Sequence, residues 1–529
     1  MPIPPMLIYA APFVLVLALA IPSSWANRHA ALMRRVSYAL VSVSGVWFSL
    51  FSVLLFFRGE VTDSWTWGDL DGHLKISIYY DRVSALIALL ISYVGWIITR
   101  YAYSYMNGDA KAGYFHKWLM VCLGAILGLV ISGNLIQLFA FWVLTSVALH
   151  KLLTHYSDRS WAMWTARKKF LISRLGDLFL GIAIYLVYRL WGTGELSQLF
   201  ARFQSGGPGA FDDPLVAPIC ILLVLSALTK SAQFPFHSWL PDTLETPTPV
   251  SALMHAGIIN GGGFLLIRLS PLVSQSSSAL TLCTAVGGGT CLLGGVIMMT
   301  QSSIKKKLAY STMSQMGFMM LQCGLGAFSI ALIHIIFHSL YKSHAFLRSG
   351  SAVTATPVPQ PDVKGMQRFY ALAFGMVISL GIIGGFLWAT DTVSIQSASG
   401  LLLGLVLILA LTYLIADSIA TGSPKIVSLG IATAIFTGGI YFLSHKVLAQ
   451  FTAEALPHET THTSLAFYMA TAVVAIGFLT LAVLQLAIII FPNARPVQVL
   501  YVHAINGFYF DIAARRVTAM IWGKSAPTP

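Results

Sequence analysis

The sequence contains little charge for its length. Only 10% of its 529 residues are Asp, Glu, Lys or Arg, whereas soluble domains carry about 25%. Hydrophobic residues make up 57% of the chain, and the mean hydropathy is +0.76. This composition excludes an ordinary water-soluble enzyme. It also excludes a disordered chain, because disorder requires low hydrophobicity and high charge.

Paired cysteines and polar domains are lacking as well. The five cysteines lie in apolar stretches without a CxxC pair, which excludes a disulfide framework and a zinc ribbon. No stretch is long and polar enough to form a separate soluble domain. We therefore predict an all-α polytopic membrane protein, in which the net charge of +13 belongs mainly to cytoplasmic loops.

Long apolar runs recur along the whole chain. Because a helix needs about 20 apolar residues to cross a bilayer, the sequence predicts about 15 transmembrane helices. The runs are 6–22, 34–57, 83–99, 117–132, 134–150, 168–190, 216–233, 249–269, 279–299, 308–324, 327–347, 369–389, 398–417, 426–444 and 464–491. The first run is not expected to be a cleaved signal peptide, since no basic segment precedes it.

The distribution of basic residues predicts an orientation. With the N-terminus outside and the C-terminus in the cytoplasm, all but seven of the loop lysines and arginines fall on the cytoplasmic side, as the positive-inside rule requires. The outer residues are Arg58, Lys75, Arg82, Arg189, Arg202, Arg268 and Lys446. We expect one membrane domain over 1–529. Its parts are N-terminal helices in 1–110, core helices in 111–347, C-terminal helices in 348–491 and a cytoplasmic tail in 492–529.

Four ionisable residues remain inside the predicted spans: Arg174, Asp177, Lys230 and Lys342. Charges in lipid are costly, so they usually face a bundle interior or a hydrated path. Arg174 and Asp177 stand three residues apart on one helix and can simply neutralise each other. That interpretation leaves the two lysines unexplained.

The stretch from Thr229 to His255 predicts a broken helix. It contains four prolines between Pro235 and Pro249, which unbroken helix does not tolerate. Irregular backbone at membrane depth requires surrounding protein or a water-filled cavity. Broken helices beside ionisable groups are how transporters build sites in the middle of the membrane. Lys230 comes just before this break.

A second polar feature is a helix with His334, His338 and Lys342 spaced by four. This spacing places the three side chains on one stripe of a helix. Histidine titrates near neutrality, so the stripe is a candidate proton relay. The alternative, histidines that are simply satisfied within a core, explains one such residue better than three in register.

Three segments resemble the antiporter-like membrane subunits of respiratory complex I and of Mrp-type cation/proton antiporters. They are KSAQFPFHSWLPD with PTPVSALMHA (230–256), IKKKLAYSTMSQMG (304–317) and the histidine–lysine helix, and the likeness runs from about Asp81 to Lys342. It implies a fold with inverted repeats and broken helices. The proton or cation path that the family implies consists of Lys230, His255, His334, His338, Lys342 and Asp177, with Lys230 central and Asp177 its partner.

The departures from the family pattern are equally informative. The family normally has a glutamate on the fifth span, but segment 141–146 reads FWVLTS and contains no acid. The family's later exit lysine falls on segment 386–391, where only Asp391 remains charged. The sequence also ends without the long lateral helix of the large complex I subunit.

With these departures the sequence most resembles the membrane subunits of DAB-type inorganic-carbon-accumulation complexes of bacteria. The resemblance implies an inner-membrane transport subunit, itself neither an enzyme nor a cofactor carrier. Its partner would be a DabA-like peripheral zinc subunit on the cytoplasmic side, where cation flow (H⁺ or Na⁺) drives CO₂ hydration and bicarbonate accumulation. Two alternatives stay open: a proton-pumping subunit of an NADH:quinone oxidoreductase or Mrp antiporter, and a non-conducting anchor for a soluble enzyme.

Two other motifs are interpreted as structural features without a functional role. His458-Glu459-Thr460-Thr461-His462 matches the HExxH zinc motif, which requires a helix. It follows a proline in a threonine-rich loop, so we expect a solvated loop and no metal site in this chain. Gly261-Gly262-Gly263 lies within a span and predicts close helix packing and no phosphate loop.

Overall fold

The computed structural model describes residues 5–66, 75–204, 211, 213–353, 365–390, 397–457 and 464–522. Within these ranges the chain is almost entirely helical. Its helices are α1 Ala10–Val16, α2 Ser23–Arg28, α3 Ala30–Arg58, α4 Arg82–Tyr105, α5 Ala112–Val130, α6 Leu135–Leu153, α7 Ser160–Trp191, α8 Leu196–Gln204, α9 Val216–Lys230, α10 Thr248–Ala256, α11 Gly261–Arg268, α12 Ser270–Val273, α13 Ser277–Thr300, α14 Ile304–Gly324, α15 Phe328–Leu347, α16 Gly365–Thr390, α17 Ala398–Ala420, α18 Pro424–Phe451, α19 Leu465–Ile490, α20 Arg495–Ile505 and α21 Phe510–Trp522.

Twelve helical segments of the described chain are long and apolar enough to cross a membrane. Two shorter apolar segments, Met6–Ala20 and Val216–Lys230, accompany them. The helix Ile304–Gly324 has sufficient length but carries three lysines and several hydroxyl side chains. The all-α membrane architecture is therefore confirmed, whereas the count of about 15 crossings stays a prediction.

The predicted helix break is present. α9 ends at Lys230, the chain continues through an irregular stretch, and α10 begins only at Thr248. Freed polar groups find partners in neighbouring elements: Ser231 Oγ donates to the carbonyl oxygen of Ile259 at 2.7 Å, and the backbone N–H of Phe234 donates to Thr290 Oγ1 at 3.1 Å. Such pairing is what irregular backbone needs inside a membrane protein. A second interruption, a 3-10 turn over Ile258–Asn260, separates α10 from α11.

The glycines of α11 allow close packing, as the sequence predicted. A Cβ on Gly262 would lie 2.3 Å from the carbonyl oxygen of Ala227, and one on Gly263 would lie 2.3 Å from the Sδ of Met319. The first contact holds α11 against α9, and the second holds it against α14. The α10–α11 unit is the most completely buried of the spanning segments described, and α19 is the least buried.

A β-hairpin precedes α4 and was not predicted from hydropathy. Strand β1 (Val61–Thr66) pairs antiparallel with β2 (Lys75–Tyr80), with Val61 opposite Tyr80. The adjoining Asp81 accepts two hydrogen bonds from Arg268, at 2.8 and 2.9 Å, and both side chains are buried. This paired geometry compensates the cost of burying both charges.

The positive-inside count treated four cations at the ends of predicted spans as loop residues, with Lys117, Lys168 and Lys169 on the inner side and Arg268 on the outer side, but all four are buried in helices. That assignment was wrong. α7 starts at Ser160, eight residues before the predicted apolar run, so two lysines enter the bundle on its first turns. Hydropathy places a helix end where the polar residues begin, and it misses basic residues that find partners inside the protein.

Candidate cation path

Lys230 ends α9 and lies against α6. Its Nζ donates to the carbonyl oxygen of Trp142 at 3.2 Å and to Ser146 Oγ at 3.0 Å. It also lies 4.3 Å from the centre of a Trp142 ring, a cation–π distance. Among the described residues no carboxylate forms an ion pair with Lys230. Oxygen atoms and an aromatic face therefore hold this lysine in the segment that lacks the family's glutamate.

A second lysine reaches the same serine. Lys169 on α7 donates from its Nζ to the carbonyl oxygen of Ser146 at 2.9 Å, and only 5% of the residue is exposed. Ser146 thus accepts from Lys169 through its backbone and from Lys230 through its side chain. Sequence reasoning missed Lys169 because its position at the edge of an apolar run made it look like a loop residue.

Asp177 is the acidic member of this group. It is 7% exposed and pairs with Arg174 on the same helix at 2.6 Å, so the ion pair expected from the i, i+3 spacing is present. Lys230 and Lys169 also act on this carboxylate. Conversely, Asp177 exerts the strongest favourable charge interaction on Lys230. The charge of Asp177 therefore acts on Lys230 of α9 as well as on Arg174 of its own helix.

The histidine–lysine stripe lies on α15 and faces α14 and α10. Lys342 is fully buried and donates to Ser311 Oγ at 2.8 Å and to the carbonyl oxygen of Leu308 at 3.2 Å. His334 Nδ1 lies 2.9 Å from Gln322 Oε1. Ser311 and Gln322 belong to α14, so one helix supplies partners at both ends of the stripe. Neither partner was identified from the sequence.

His338 and His255 complete this second group. The rings of His334 and His338 are 5.9 Å apart, and the backbone of His255 lies within hydrogen-bonding reach of His338. His255 stacks on Phe346 with ring centres 4.1 Å apart, and its buried Nδ1 has no hydrogen-bond partner among the described residues. The structure therefore brings His255, His338 and His334 together with Lys342.

Asn260 connects the two groups. Its Nδ2 donates to Ser339 Oγ at 2.8 Å, and Ser339 adjoins His338 on α15. The next residue, Gly261, faces Lys230, since a Cβ placed there would lie 3.6 Å from Lys230 Cε. Asn260 Oδ1 is buried and has no hydrogen-bond partner among the described residues. The turn between α10 and α11 thus places an amide between the Lys230 group and the Lys342 group.

An ionic cluster lies beyond the broken loop. Lys168 Nζ pairs with Asp242 at 2.7 Å and also with Asp511 of α21, which in turn pairs with Arg515. Burial raises the pKa of Asp242, and the charge of Lys168 acts in the opposite direction. Phe510 adds an aromatic contact to Phe234 of the loop, with ring centres 4.8 Å apart. The cluster fixes the C-terminal helix against α7 and the loop.

The described residues contain no group of three or more His, Cys, Asp or Glu side chains that could hold a metal ion. His458 to His462, the HExxH match, lies outside the described residues, as does Asp391. The site is therefore built from lysines, histidines and one aspartate. These groups can bind and release protons, and the hydrogen-bond acceptors of the lysines are neutral oxygen atoms, whereas Asp177 pairs with Arg174.

Two family profiles match the chain. Residues 132–370 match the family described as NADH:quinone oxidoreductase/Mrp antiporter, TM, and residues 67–116 match the N-terminal region of chain 5 of complex I. Two solved structures share the fold. They are the Mrp complex from Dietzia sp. (TM-score 0.54, 22% identity, 97% of this chain and 57% of the other) and an archaeal membrane-bound sulfane sulfur reductase (TM-score 0.56, 18% identity, 89% and 74%). The matched profiles and the fold define an antiporter-like membrane subunit.

Comparison with individual proteins shows to which group of antiporter-like subunits this chain belongs. The chain is 34% identical to the probable inorganic carbon transporter subunit DabB2 of Halothiobacillus neapolitanus over 85% of its own length and 81% of the relative. It is 38% identical to the probable inorganic carbon transporter subunit DabB of Hydrogenovibrio crunogenus over 59% of its length and 60% of the relative. The chain belongs to the DabB family of antiporter-like, multi-pass membrane subunits.

Proposed function

We propose that this chain is the cation-conducting membrane subunit of an inorganic-carbon-accumulating complex and that the cation is a proton. The observation that carries the proposal is that Lys230, which is partly buried, and Lys342, which is fully buried, are held by neutral oxygen atoms within the helix bundle. Buried ionisable groups of this kind are costly and are typical of ion paths. The similarity to an inorganic carbon transporter subunit over 81% of that relative's length supports the carbon substrate.

The proposed path runs from Lys230 through Asn260 to the histidines and Lys342. Asp177 stabilises the charged form of Lys230, and His255, His338 and His334 carry protons between the lysines. Asn260 Oδ1 and His255 Nδ1, two buried atoms without partners, are positions at which water can complete a chain of hydrogen bonds. Protons would enter Lys342 or leave it next to Ser311.

We assign the hydration of CO₂ to a partner subunit. We propose a DabA-like peripheral zinc subunit on the cytoplasmic side, since no candidate metal site lies within the described residues. A proton moving through 100 mV releases about 2.3 kcal/mol. That amount favours hydration of CO₂ over the reverse reaction by a factor of about 50 when the two steps are coupled.

The proposed orientation has the N-terminus outside and the C-terminus in the cytoplasm of a bacterial inner membrane. The excess of basic residues in the loops on one side supports it, and the pairing of Lys168 with Asp511 is consistent with the prediction that both residues lie on that side. A green fluorescent protein fused to the C-terminus should fluoresce, and alkaline phosphatase fused there should be inactive. The reverse pattern would contradict the orientation.

The central test replaces Lys230 by alanine. The variant should insert normally but fail to rescue growth at air levels of CO₂ in a host that lacks carbonic anhydrase and expresses the chain with its partner. Lys151, an exposed lysine at the end of α6, provides the matched control, and Lys151→Ala should rescue fully. Full rescue by Lys230→Ala would overturn the proposed path.

Co-purification identifies the complex. A large soluble protein with zinc-ligand cysteines and histidines should copurify with the tagged chain, and mass spectrometry should detect it. A subunit 5 of chloroplast NAD(P)H-quinone oxidoreductase from Zygnema circumcarinatum is also 34% identical, over 62% of this chain and 48% of its own length. Copurification of quinone oxidoreductase or Mrp antiporter subunits would therefore favour the alternative, a proton-pumping subunit of one of those complexes.

A further inference from the structure

Ser146 is the meeting point of two lysines from different helices. Lys230 of α9 binds its hydroxyl at 3.0 Å, and Lys169 of α7 binds its carbonyl at 2.9 Å. Both ammonium groups are therefore within hydrogen-bonding distance of one residue, and Lys169 is buried while Lys230 is partly buried. Two like charges this close in a desolvated environment repel each other strongly.

The surroundings do not neutralise both lysines. The charged or titratable groups that face the pair are Asp177 and Arg174 on α7, His150 on α6 and Cys122 on α5. Asp177 is the only carboxylate among them, and it already pairs with Arg174 at 2.6 Å. One carboxylate therefore faces three cations: Arg174, Lys169 and Lys230. When both lysines are protonated, no countercharge remains for the second ammonium group.

We propose that Lys169 and Lys230 form a coupled pair through Ser146, in which a proton on one lysine disfavours a proton on the other. This inference rests on the proposed cation path and deepens it. In the family pattern a glutamate of the same segment stabilises the charged lysine, whereas here a second lysine donates to the same residue, Ser146. Lys169 acts through Lys230 and is a positioning residue.

The sequence of events conserves protons. A proton that reaches Lys169 Nζ raises the charge beside Ser146, and one proton leaves Lys230 Nζ toward Asn260 and the histidines. The proton on Lys169 then returns to the side from which it came, and Lys230 takes up another proton from that same side. The pair thus passes one proton for each cycle, and Ser146 holds both side chains in place without changing its own protonation.

Labelling of Lys230 tests the coupling without any transport measurement. Reductive methylation with formaldehyde modifies only the neutral amine, and mass spectrometry of the purified full-length chain measures the labelled fraction of Lys230 at each pH. In Lys169→Gln the pH of half-labelling should rise by about one unit, because a neighbouring positive charge is gone. Lys169→Arg keeps a positive charge at this position and should not raise the pH of half-labelling, and Lys151→Gln, an exposed control, should leave it unchanged.

Proton flux in liposomes containing the full chain and its partner gives the second readout. The pH at which flux is half-maximal should move in the same direction in Lys169→Gln. Lys169→Arg should carry little flux, because a guanidinium group does not release the proton that the cycle requires residue 169 to lose. An unchanged labelling profile in a well-folded Lys169→Gln protein would overturn the coupling. A shifted profile in a protein that carries no flux would instead uphold the coupling and overturn the proposed function.

Discussion

At the residue scale, a cation site can be built around a lysine without a carboxylate in direct contact. Lys230 is held by the Trp142 carbonyl, the Trp142 ring and the Ser146 hydroxyl. These groups interact with the ammonium group but carry no charge that would fix its proton permanently. Asp177 acts at longer range and shares its charge with Arg174. Such a lysine can exchange its proton more readily than one in a buried ion pair.

Asp177 should be almost as important as Lys230. Asp177→Asn leaves Lys230, Lys169 and Arg174 without their acid, so Lys230 should lose protonation and uncoupler-sensitive bicarbonate accumulation should fall to background. Asp158→Asn, which changes an exposed aspartate, is the control and should accumulate normally. Wild-type accumulation in Asp177→Asn would leave Asp177 as a structural counter-ion.

A second change refines this prediction. Because Ser146 Oγ directly contacts Lys230, Ser146→Asp places an acid where the family's glutamate would act. The double variant Asp177→Asn with Ser146→Asp should recover part of the lost accumulation. No recovery in a double variant that inserts normally would show that the position of the acid on α7 matters, and not its charge alone.

At the element scale, the histidine–lysine stripe of α15 is held in place by contacts with α14 and α10. His334 depends on Gln322, and His338 depends on the backbone of His255. His334→Ala and His338→Ala should each reduce bicarbonate accumulation. The double variant should lose less than the sum of the logarithmic losses, because both residues serve one path.

Gln322 provides the matched test for this stripe. Gln322→Leu removes the partner of His334 without touching a titratable group, and its effect should resemble that of His334→Ala. Full additivity of the two histidine substitutions would instead assign them independent structural roles.

The close packing of α11 against α9 predicts a local stability effect. In Gly262→Ala the new methyl group would meet the Ala227 carbonyl at 2.3 Å and Ser231 Oγ at 2.4 Å, so the helices must separate. We expect a loss of about 1–3 kcal/mol in stability, measured as a lower unfolding temperature in detergent. Gly289→Ala is the control, because a Cβ at Gly289 meets no atom within 4 Å, and it should be neutral or slightly stabilising.

At the scale of the whole molecule, the C-terminal helices are attached to the core by charge. Asp511 bridges Lys168 and Arg515, and Lys168 is 1% exposed. Asp511→Asn should weaken this attachment by about 1–3 kcal/mol, since buried Lys168 loses one of its two acids. Hydrogen exchange should become faster throughout Arg495–Trp522.

The control for this prediction is Arg516→Gln, which alters an exposed charge on the same helix. Its exchange should match the wild type. Equal protection of Arg495–Trp522 in Asp511→Asn would mean that the aromatic contact of Phe510 with Phe234 holds the helix without help from the ionic cluster.

Several features of this protein were determined by the sequence itself. Hydropathy determined the membrane class, the prolines between Pro235 and Pro249 determined the broken helix, and the spacing of His334, His338 and Lys342 determined their common stripe. Each of these depends on residues that are neighbours in the chain. Local rules of helix length, helix period and proline geometry are therefore sufficient to predict them.

The tertiary structure decided which groups surround those residues. Ser146 meets Lys230 across 84 residues of sequence, and Asp511 meets Lys168 across 343. Lys169 became a member of the site only because α7 begins early and turns this side chain toward α6. Such contacts depend on how the helices rotate and pack against one another. Local patterns of hydropathy or spacing do not determine this packing.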